Sequence, residues 1–514
     1  MSADLVLANA NIITMNPAQP TAGLVAVRGN KIWLVGDSDR LGEARGAKTK
    51  LIDCQGKTVV PGFNDAHCHI FGFIRKLRSL DLSPSSVGSI ADIKAAVRRK
   101  AQSLPPGQWL IGTDYNEFYL AEKRHPNRRD LDEAAPDHPV VLAHRSLHAC
   151  VLNSLALSLA GITRETPEPP GALIERELES GEPSGLLFEM LGYIRDKVLP
   201  SPSEGELAEG MALANEHYLS MGITSRQEAS VANDYARWQT LKRFKQSGKL
   251  KSRVSMMFGF NALPEFKQAG LAFGSGDAQL RLGGVKIVIN ETRGKLQPPP
   301  DGLKEQAMSA HRAGFQLAIH CVEPNTVEAA IAALEYIGSG SPLAKRRHRL
   351  EHGSECPPEL LKRLKELEVM VVTQPPFIYY SGERYLATLP PQRQRWLYRI
   401  RSFLDAGLVV AGSSDSPVAS DNPLVGIYAA VSRRAESGQE LLPGEAVSAK
   451  QALAMYTVNA AYASFEEDVK GSIAPGKLAD MVILSADPLK VPPESLKDIR
   501  VEMTIIDGRV VWEV

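Results

Sequence analysis

The segment Pro61-Gly62-Phe63-Asn64-Asp65-Ala66-His67-Cys68-His69 places two histidines two positions apart behind an apolar run. In an extended chain, residues i and i+2 project to the same side, so both imidazoles can meet one cation. Further along, single metal-compatible groups follow short apolar stretches. Lys286 lies in Gly283-Gly284-Val285-Lys286-Ile287-Val288, His320 follows Gln316-Leu317-Ala318-Ile319, His352 follows Arg349-Leu350-Glu351, and Asp415 closes Ala411-Gly412-Ser413-Ser414-Asp415. Singly, each histidine has a rival reading as a hydrogen-bonded core residue, and Asp415 as a helix cap. Recurring at strand ends, they read as one ligand set delivered to one rim. Histidine and carboxylate ligands suit Zn²⁺ best, and Mn²⁺ or Fe²⁺ would accept the same set.

Such a rim needs a scaffold of parallel strands. Eight candidates can be read: Thr58 to Val60 leading into Pro61, Gly222 to Arg226, Arg253 to Phe258, Gly284 to Ile289, Phe315 to Ile319, Arg347 to Leu350, Val369 to Thr373, and Leu408 to Ala411. They alternate with amphipathic stretches such as Glu206 to Ser220 and Pro358 to Glu368, the pattern of a sheet wrapped by helices. The fold class expected is α/β, a closed (β/α)₈ TIM barrel over residues 58–464, with its chemistry at the C-terminal ends of the strands. Residues from about 72 to 220 are too many for one crossover and contain extra strands at Trp109 to Gly112 and Val140 to Ala143, which marks an insertion after the first barrel strand. Pro167 to Gly171 and Ser180 to Gly185 read as exposed loops within it. Short strands at both ends, including Leu24 to Val27, Asp480 to Leu484 and a hairpin at Asp507-Gly508, predict one small β-sandwich domain shared by residues 1–57 and 465–514.

Bulk properties exclude several classes of function. Lys plus Arg and Asp plus Glu both number 59, so no net field favours nucleic acid or an anionic membrane surface. Met1 to Met15 lacks the pattern of a secretory signal, and no run approaches the ~18 apolar residues of a membrane span. A cytoplasmic protein is expected, partnered by a small-molecule substrate and by its own copy in a homo-oligomer, a dimer. The five cysteines, at 54, 68, 150, 321 and 356, form no C-x-x-C pair and read as reduced, buried thiols, although Cys68 and Cys321 flank histidines of interest.

The H-x-H pair, Lys286, His320, His352 and Asp415 together resemble the amidohydrolase superfamily, specifically its YtcJ-like branch (amidohydrolase family 3), which includes N-substituted formamide deformylases. The likeness covers nearly the whole chain and extends to Gly107-Gln108-Trp109-Leu110-Ile111-Gly112, to Pro139-Val140-Val141-Leu142 followed by His148 and Asn153-Ser154-Leu155-Ala156-Leu157, to Gly185-Leu186-Leu187, and to Gly476-Lys477-Leu478-Ala479-Asp480-Met481-Val482. The resemblance implies that His67, His69 and Asp415 bind a more buried metal and His320 and His352 a more exposed one. Between them Lys286 is implied as a bridge, carboxylated by CO₂, since a protonated lysine would repel a cation.

The reaction implied by that resemblance is hydrolysis of a non-peptide C–N bond in an N-acyl, N-formyl or cyclic amide. A metal-activated hydroxide attacks, and Asp415 carries its proton to the departing nitrogen. His148 matches a histidine that donates to the developing oxyanion. Departures stand next to two ligands: His320-Cys321-Val322-Glu323-Pro324-Asn325 and Val288-Ile289-Asn290 replace the acidic-glycine pairs usual there. Substrate contacts are expected from Tyr115, Phe377 and Tyr379, with Phe118, Tyr119 and Tyr380 beside them, and from Arg293, with Arg145 and Arg384 as further cations for a substrate carboxylate. The alternatives are a deaminase or an ester, lactone or phosphoester hydrolase on the same centre, and a non-catalytic barrel scaffold.

Overall fold

The computed structural model describes residues 2–514 apart from positions 293, 341, 342 and 344. The chain divides into two compact units, one of Met1–Ile70, Ala214–Ile289 and Pro298–Val514, the other of Phe71–Leu213 and Asn290–Gln297.

The larger unit is built on eight strands that we number β1 to β8: Phe63–Cys68, Ile223–Glu228, Arg253–Gly259, Leu280–Val288, Leu317–Cys321, Arg349–His352, Met370–Thr373 and Val410–Gly412. Each pairs in parallel with the next, so spatial order follows chain order. Stretches such as Met256-Met257-Phe258 and Met370-Val371-Val372 are buried throughout, as expected of strands covered on both faces. The remaining gap, between β8 and β1, is crossed by the chain leaving β8. Asp415 N–H donates to His67 O at 2.8 Å, and His69 N–H donates to Ser416 O at 2.7 Å. The result is an α/β barrel that is nearly closed.

One expected barrel strand belongs elsewhere. Thr58–Pro61 pairs in parallel with Asn11–Ile13 and antiparallel with Met481–Leu484, and the first barrel strand is Phe63–Cys68. Pro61 ends the outer strand for want of an N–H, and Gly62 turns the chain inward. A Cβ on Gly62 would come within 2.2 Å of Thr224 Oγ1, so only glycine passes there.

Both chain ends contribute to two further sheets. One runs Lys31–Gly36, Leu24–Arg28, Leu5–Ala8, Lys50–Asp53, and the other Arg509–Glu513, Val501–Ile506, Met481–Leu484, Thr58–Pro61, Asn11–Ile13, Thr21–Ala22. Leu7, Val25 and Ile32 from the first meet Val59, Met481 and Ile505 from the second in one apolar cluster.

The smaller unit carries its own mixed sheet, in the order Leu173–Arg176, Pro183–Phe188, Ala149–Leu152, Val140–His144, Leu110–Tyr115, Leu80–Asp81. Helix Ile90–Gln102 starts on a Ser89 side chain that accepts from Asp92 N, and helix Arg128–Ala134 on a reciprocal Asn127/Asp130 box, each cap satisfying end N–H groups. The expected exposed loop at 180–185 is shorter than read, because Pro183-Ser184-Gly185 opens a buried strand. Gly185 has φ +102°, and a Cβ there would meet Leu152 O at 2.5 Å. Its signature is that of close backbone approach, which a turn-forming glycine shares in sequence. No helix among the described residues is long and apolar enough to cross a membrane.

Candidate metal centre

β1 delivers His67 and His69, and the segment after β8 delivers Asp415, to one point. The three ligand atoms lie within 4.8 Å of one another. Asp415 Oδ1 stands 2.8 Å from His69 Nε2 and 3.4 Å from His67 Nε2, and the two imidazoles meet edge to face with centroids 5.3 Å apart. From β4, two residues before its end, Lys286 Nζ reaches His67 Nε2 at 3.2 Å. β6 ends on His352, whose ring centroid is 4.9 Å from that of His67 and 4.4 Å from that of His320 on β5. The structure thus brings all six sequence-predicted metal-site residues together.

Two of them owe their direction to backbone strain. His352 and Asp415 have φ of +70° and +57°, a region costly for residues other than glycine and concentrated at functional sites. The turn at His352 has a specific result. Adjacent residues of a strand normally face opposite ways, yet Glu351 and His352 both approach His67.

The tautomers can be deduced from the partners. Glu351 Oε2 lies 2.5 Å from His67 Nδ1, and an ionised carboxylate only accepts, so Nδ1 carries the proton and Nε2 a lone pair. Ser413 Oγ donates to Thr373 O at 3.0 Å and therefore accepts from Gln374 Nε2 at 3.0 Å. Gln374 Oε1 is left to face His352 Nδ1 at 2.7 Å, which again puts the proton on Nδ1. His352 Nε2 is then a buried lone pair with no hydrogen-bond partner among the described residues. His69 Nδ1 meets Ser230 Oγ at 2.9 Å, a hydroxyl able to give or take a proton as the ring requires. Ser230 is itself held by its N–H on Glu228, whose other oxygen caps Ile70 N.

Charge and burial agree with this picture. Burial pushes the Asp415 carboxyl up, but the hydrogen bond from His69 and the charges of the histidines outweigh it and hold Asp415 well below the carboxylate range. Burial, with Lys286 beside it, holds the His67 imidazole neutral. Burial also brings the Lys286 ammonium down to about 8 against the pull of Glu351 and Asp415. The Cys68 and Cys321 thiols are pushed up by burial and donate to backbone oxygens, which makes them packed thiols and not thiolate ligands.

A carboxylate oxygen set against an imidazole lone pair is repulsive, and an unpartnered buried Nε2 is costly. A divalent cation relieves both, and the donor set of neutral Nε2 and carboxylate oxygen fits one. His67, His69 and Asp415 have the geometry for one ion, with His320 and His352 beside them.

A family model described as the amidohydrolase family matches residues 50–512. The chain belongs to the amidohydrolase family. As a member of that family, the protein is a hydrolase. This amidohydrolase is 31% identical to the N-substituted formamide deformylase of Arthrobacter pascens, over 99% of this chain and 98% of that one. It is 28% identical to the putative amidohydrolase YtcJ of Bacillus subtilis, over 98% of each. Among solved structures it resembles a metal-dependent hydrolase from Pyrococcus furiosus with a TM-score of 0.74 and 26% identity, covering 95% of this chain and all of the other.

The remaining expected site residues of the amidohydrolase fall in different settings. Phe377 and Tyr379 are half-buried on helix Pro376–Thr388, where Phe377 packs on Tyr398 and Tyr379 on Tyr428. Arg293 lies outside the described residues. In the smaller unit Tyr115 is completely buried, with its phenol on His125 Nδ1 at 3.0 Å. His148 is about half exposed, with Nδ1 2.8 Å from Glu189 Oε1, and Glu189 Oε2 accepts from Asn290 at 3.0 Å. In this tautomer Nε2 of His148 donates only when the ring is cationic. Glu351, Gln374, Ser230 and Glu189 carry no sequence signal of their own. The acid preceding His352 is the one visible hint of Glu351.

Proposed function

We propose that this amidohydrolase cleaves a non-peptide C–N bond, in an N-acyl, N-formyl or cyclic amide, at a zinc centre held by His67, His69, His320, His352 and Asp415 and bridged by carboxylated Lys286. The observation that carries the reading is the convergence of two imidazole nitrogens, from His67 and His69, and one Asp415 carboxylate oxygen within 4.8 Å of one another. A divalent cation bound there acidifies a water molecule and polarises the substrate carbonyl.

The chain's own groups do the rest. Asp415 touches both sides of the centre through Oδ1. Its position suits it to take the proton released during attack and to return it to the leaving nitrogen. Held as a carboxylate by the surrounding histidines, it is ready to accept at neutral pH. Glu351, Ser230 and Gln374 keep the rings from rotating. Lys286 is buried beside His67 with its amine brought toward neutrality. A neutral amine adds to CO₂, forming an N–C bond and releasing a proton. The carbamate so formed exchanges a repelling cation for two anionic oxygens. The likeness to a formamide deformylase supports the amide class. The apolar cluster shared by the two outer sheets supports reading 1–57 and 465–514 as one small sandwich domain.

The test is a substrate panel of N-substituted formamides, N-acyl amines, cyclic amides, esters, lactones and aminopurines, run on zinc-loaded protein with metal content measured. Amine release from the amides, lost in Asp415→Asn, is the expected result. Ammonia release from aminopurines with one ion per chain would replace the amide reading by the deaminase one. Turnover of nothing would favour a scaffold.

A further inference from the structure

Beneath the metal centre the barrel interior contains an ion pair that no step of the proposed hydrolysis requires. Arg349 and Glu351 are two residues apart on β6 and both are completely buried. Arg349 Nε donates to Glu351 Oε1 at 2.5 Å, and its Nη2 donates to Glu351 Oε2 at 2.9 Å and to Ala66 O, next to His67, at 2.7 Å. Its Nη1 donates to Gln227 Oε1 on β2, and Gln227 Nε2 donates to Ala460 O at 2.7 Å. Every guanidinium nitrogen is used, and Glu351 Oε2 keeps one further contact, with His67 Nδ1.

A buried ion pair of this kind is poor evidence for stability, because apolar residues of similar volume often fill such a space at no loss. It does supply direction. Clamped from two sides, the carboxylate of Glu351 can neither rotate nor leave. The Nδ1 partners of His69 and His352 are uncharged, a hydroxyl and an amide. His67 rests on an anion, and an anion under an imidazole both fixes the tautomer and raises the basicity of the opposite nitrogen.

We propose that Glu351, clamped by Arg349, which Gln227 and Ala66 O hold in turn, is a positioning residue that locks His67 with Nε2 toward the metal centre and makes His67 a stronger donor than His69 and His352. The inference rests on the metal-centre reading and deepens it. Glu351 touches neither substrate nor reacting atoms and acts only through His67.

The experiment compares wild type, Glu351→Gln and the double variant Arg349→Met/Glu351→Gln. The double variant removes both charges together, so it leaves no buried unpaired guanidinium if the single variant folds poorly. The first readout is zinc affinity by chelator competition, and the second is the ¹⁵N spectrum of histidine-labelled metal-free protein, with His67 assigned by its absence in His67→Ala. Zinc binding weaker by about 10- to 100-fold, with His67 passing from one tautomer to a mixture, is the expected result. Wild-type affinity in both variants with His67 still in a single tautomer overturns the proposal. If His67→Ala binds zinc as wild type does, the metal-centre reading fails, while the tautomer measurement still decides what Glu351 does.

Discussion

Gln374 Oε1 stands 2.7 Å from His352 Nδ1, and its own amide nitrogen is committed to Ser413 Oγ. The residue following β7 thereby dictates which nitrogen of the last residue of β6 faces the centre. Gln374→Ala frees that ring to rotate. Zinc titration with a competing chelator should show the weaker of two sites lose about 10- to 100-fold in affinity, with the tighter site unchanged. Equal weakening of both would show that His352 does not serve a separate position.

In the proposed hydrolysis Asp415 combines ligation and proton transfer in one carboxylate. Asp415→Asn keeps an amide oxygen for the cation and cannot accept a proton. Removing a positioned general base lowers turnover by about 10²- to 10⁴-fold, so kcat should fall that far in protein whose measured zinc content is still near wild type. A kcat within a few-fold of wild type would transfer the proton shuttle to another group.

The proposed carboxylation of Lys286 requires the neutral amine. With its ammonium brought to about 8 by burial, the neutral fraction grows as pH rises through that value. Reconstitution of metal-free protein with zinc and bicarbonate should therefore be faster above about pH 8 than near pH 6. Lys286→Met should hold one ion where wild type holds two, as read by elemental analysis.

Away from the centre, His348 Nδ1 accepts from Leu317 N at 3.0 Å, so its Nε2–H donates to His311 Nδ1 at 2.9 Å. Burial, then His311 and Arg346, push His348 down to about 3, and burial with Arg346 and Arg312 lowers His311. In the unfolded chain both take up protons near 6.5. Between those values the unfolded state binds more protons, so the stability from this pair is complete above about pH 6.5 and is lost as pH falls toward 3. The slope is about 1.4 kcal/mol per pH unit for each fully shifted histidine. Urea unfolding at about pH 5 and about pH 7 should show that loss in wild type and a smaller one in His348→Asn.

Arg253, at the start of β3, donates to Asp480 through Nε at 2.6 Å and Nη2 at 2.8 Å, and to Asp507 at 2.7 Å. Asp480 ends the Gly476-Lys477-Leu478-Ala479 stretch leading into the outer sheet. Breaking a buried pair leaves an uncompensated charge, so Asp480→Ala should cost about 3–5 kcal/mol in chemical denaturation. A cost under about 1 kcal/mol would mean that Asp507 and water replace the lost partner.

The ligand types and the strands that carry them were legible in the linear chain, because an apolar run ending in a histidine or an aspartate is a local pattern. Parallel barrel order was legible too, since alternating strands and helices leave few other ways to bury so many apolar runs. What only the tertiary structure decided was everything that depends on contacts between distant segments. Thr58–Pro61 has the apolar look of a barrel strand, yet its partners lie at both chain ends, and no local property separates the two assignments. The left-handed turns at His352 and Asp415 have no local sequence pattern that announces them. Glu351, Ser230 and Gln374 were invisible as positioning groups because a hydrogen bond that holds a ring acts over less than 3 Å between segments that only the fold brings together. The sequence by itself determined which atoms are available to hold a metal. The packing of eight strands decided which nitrogen of His67, His69 and His352 faces the centre.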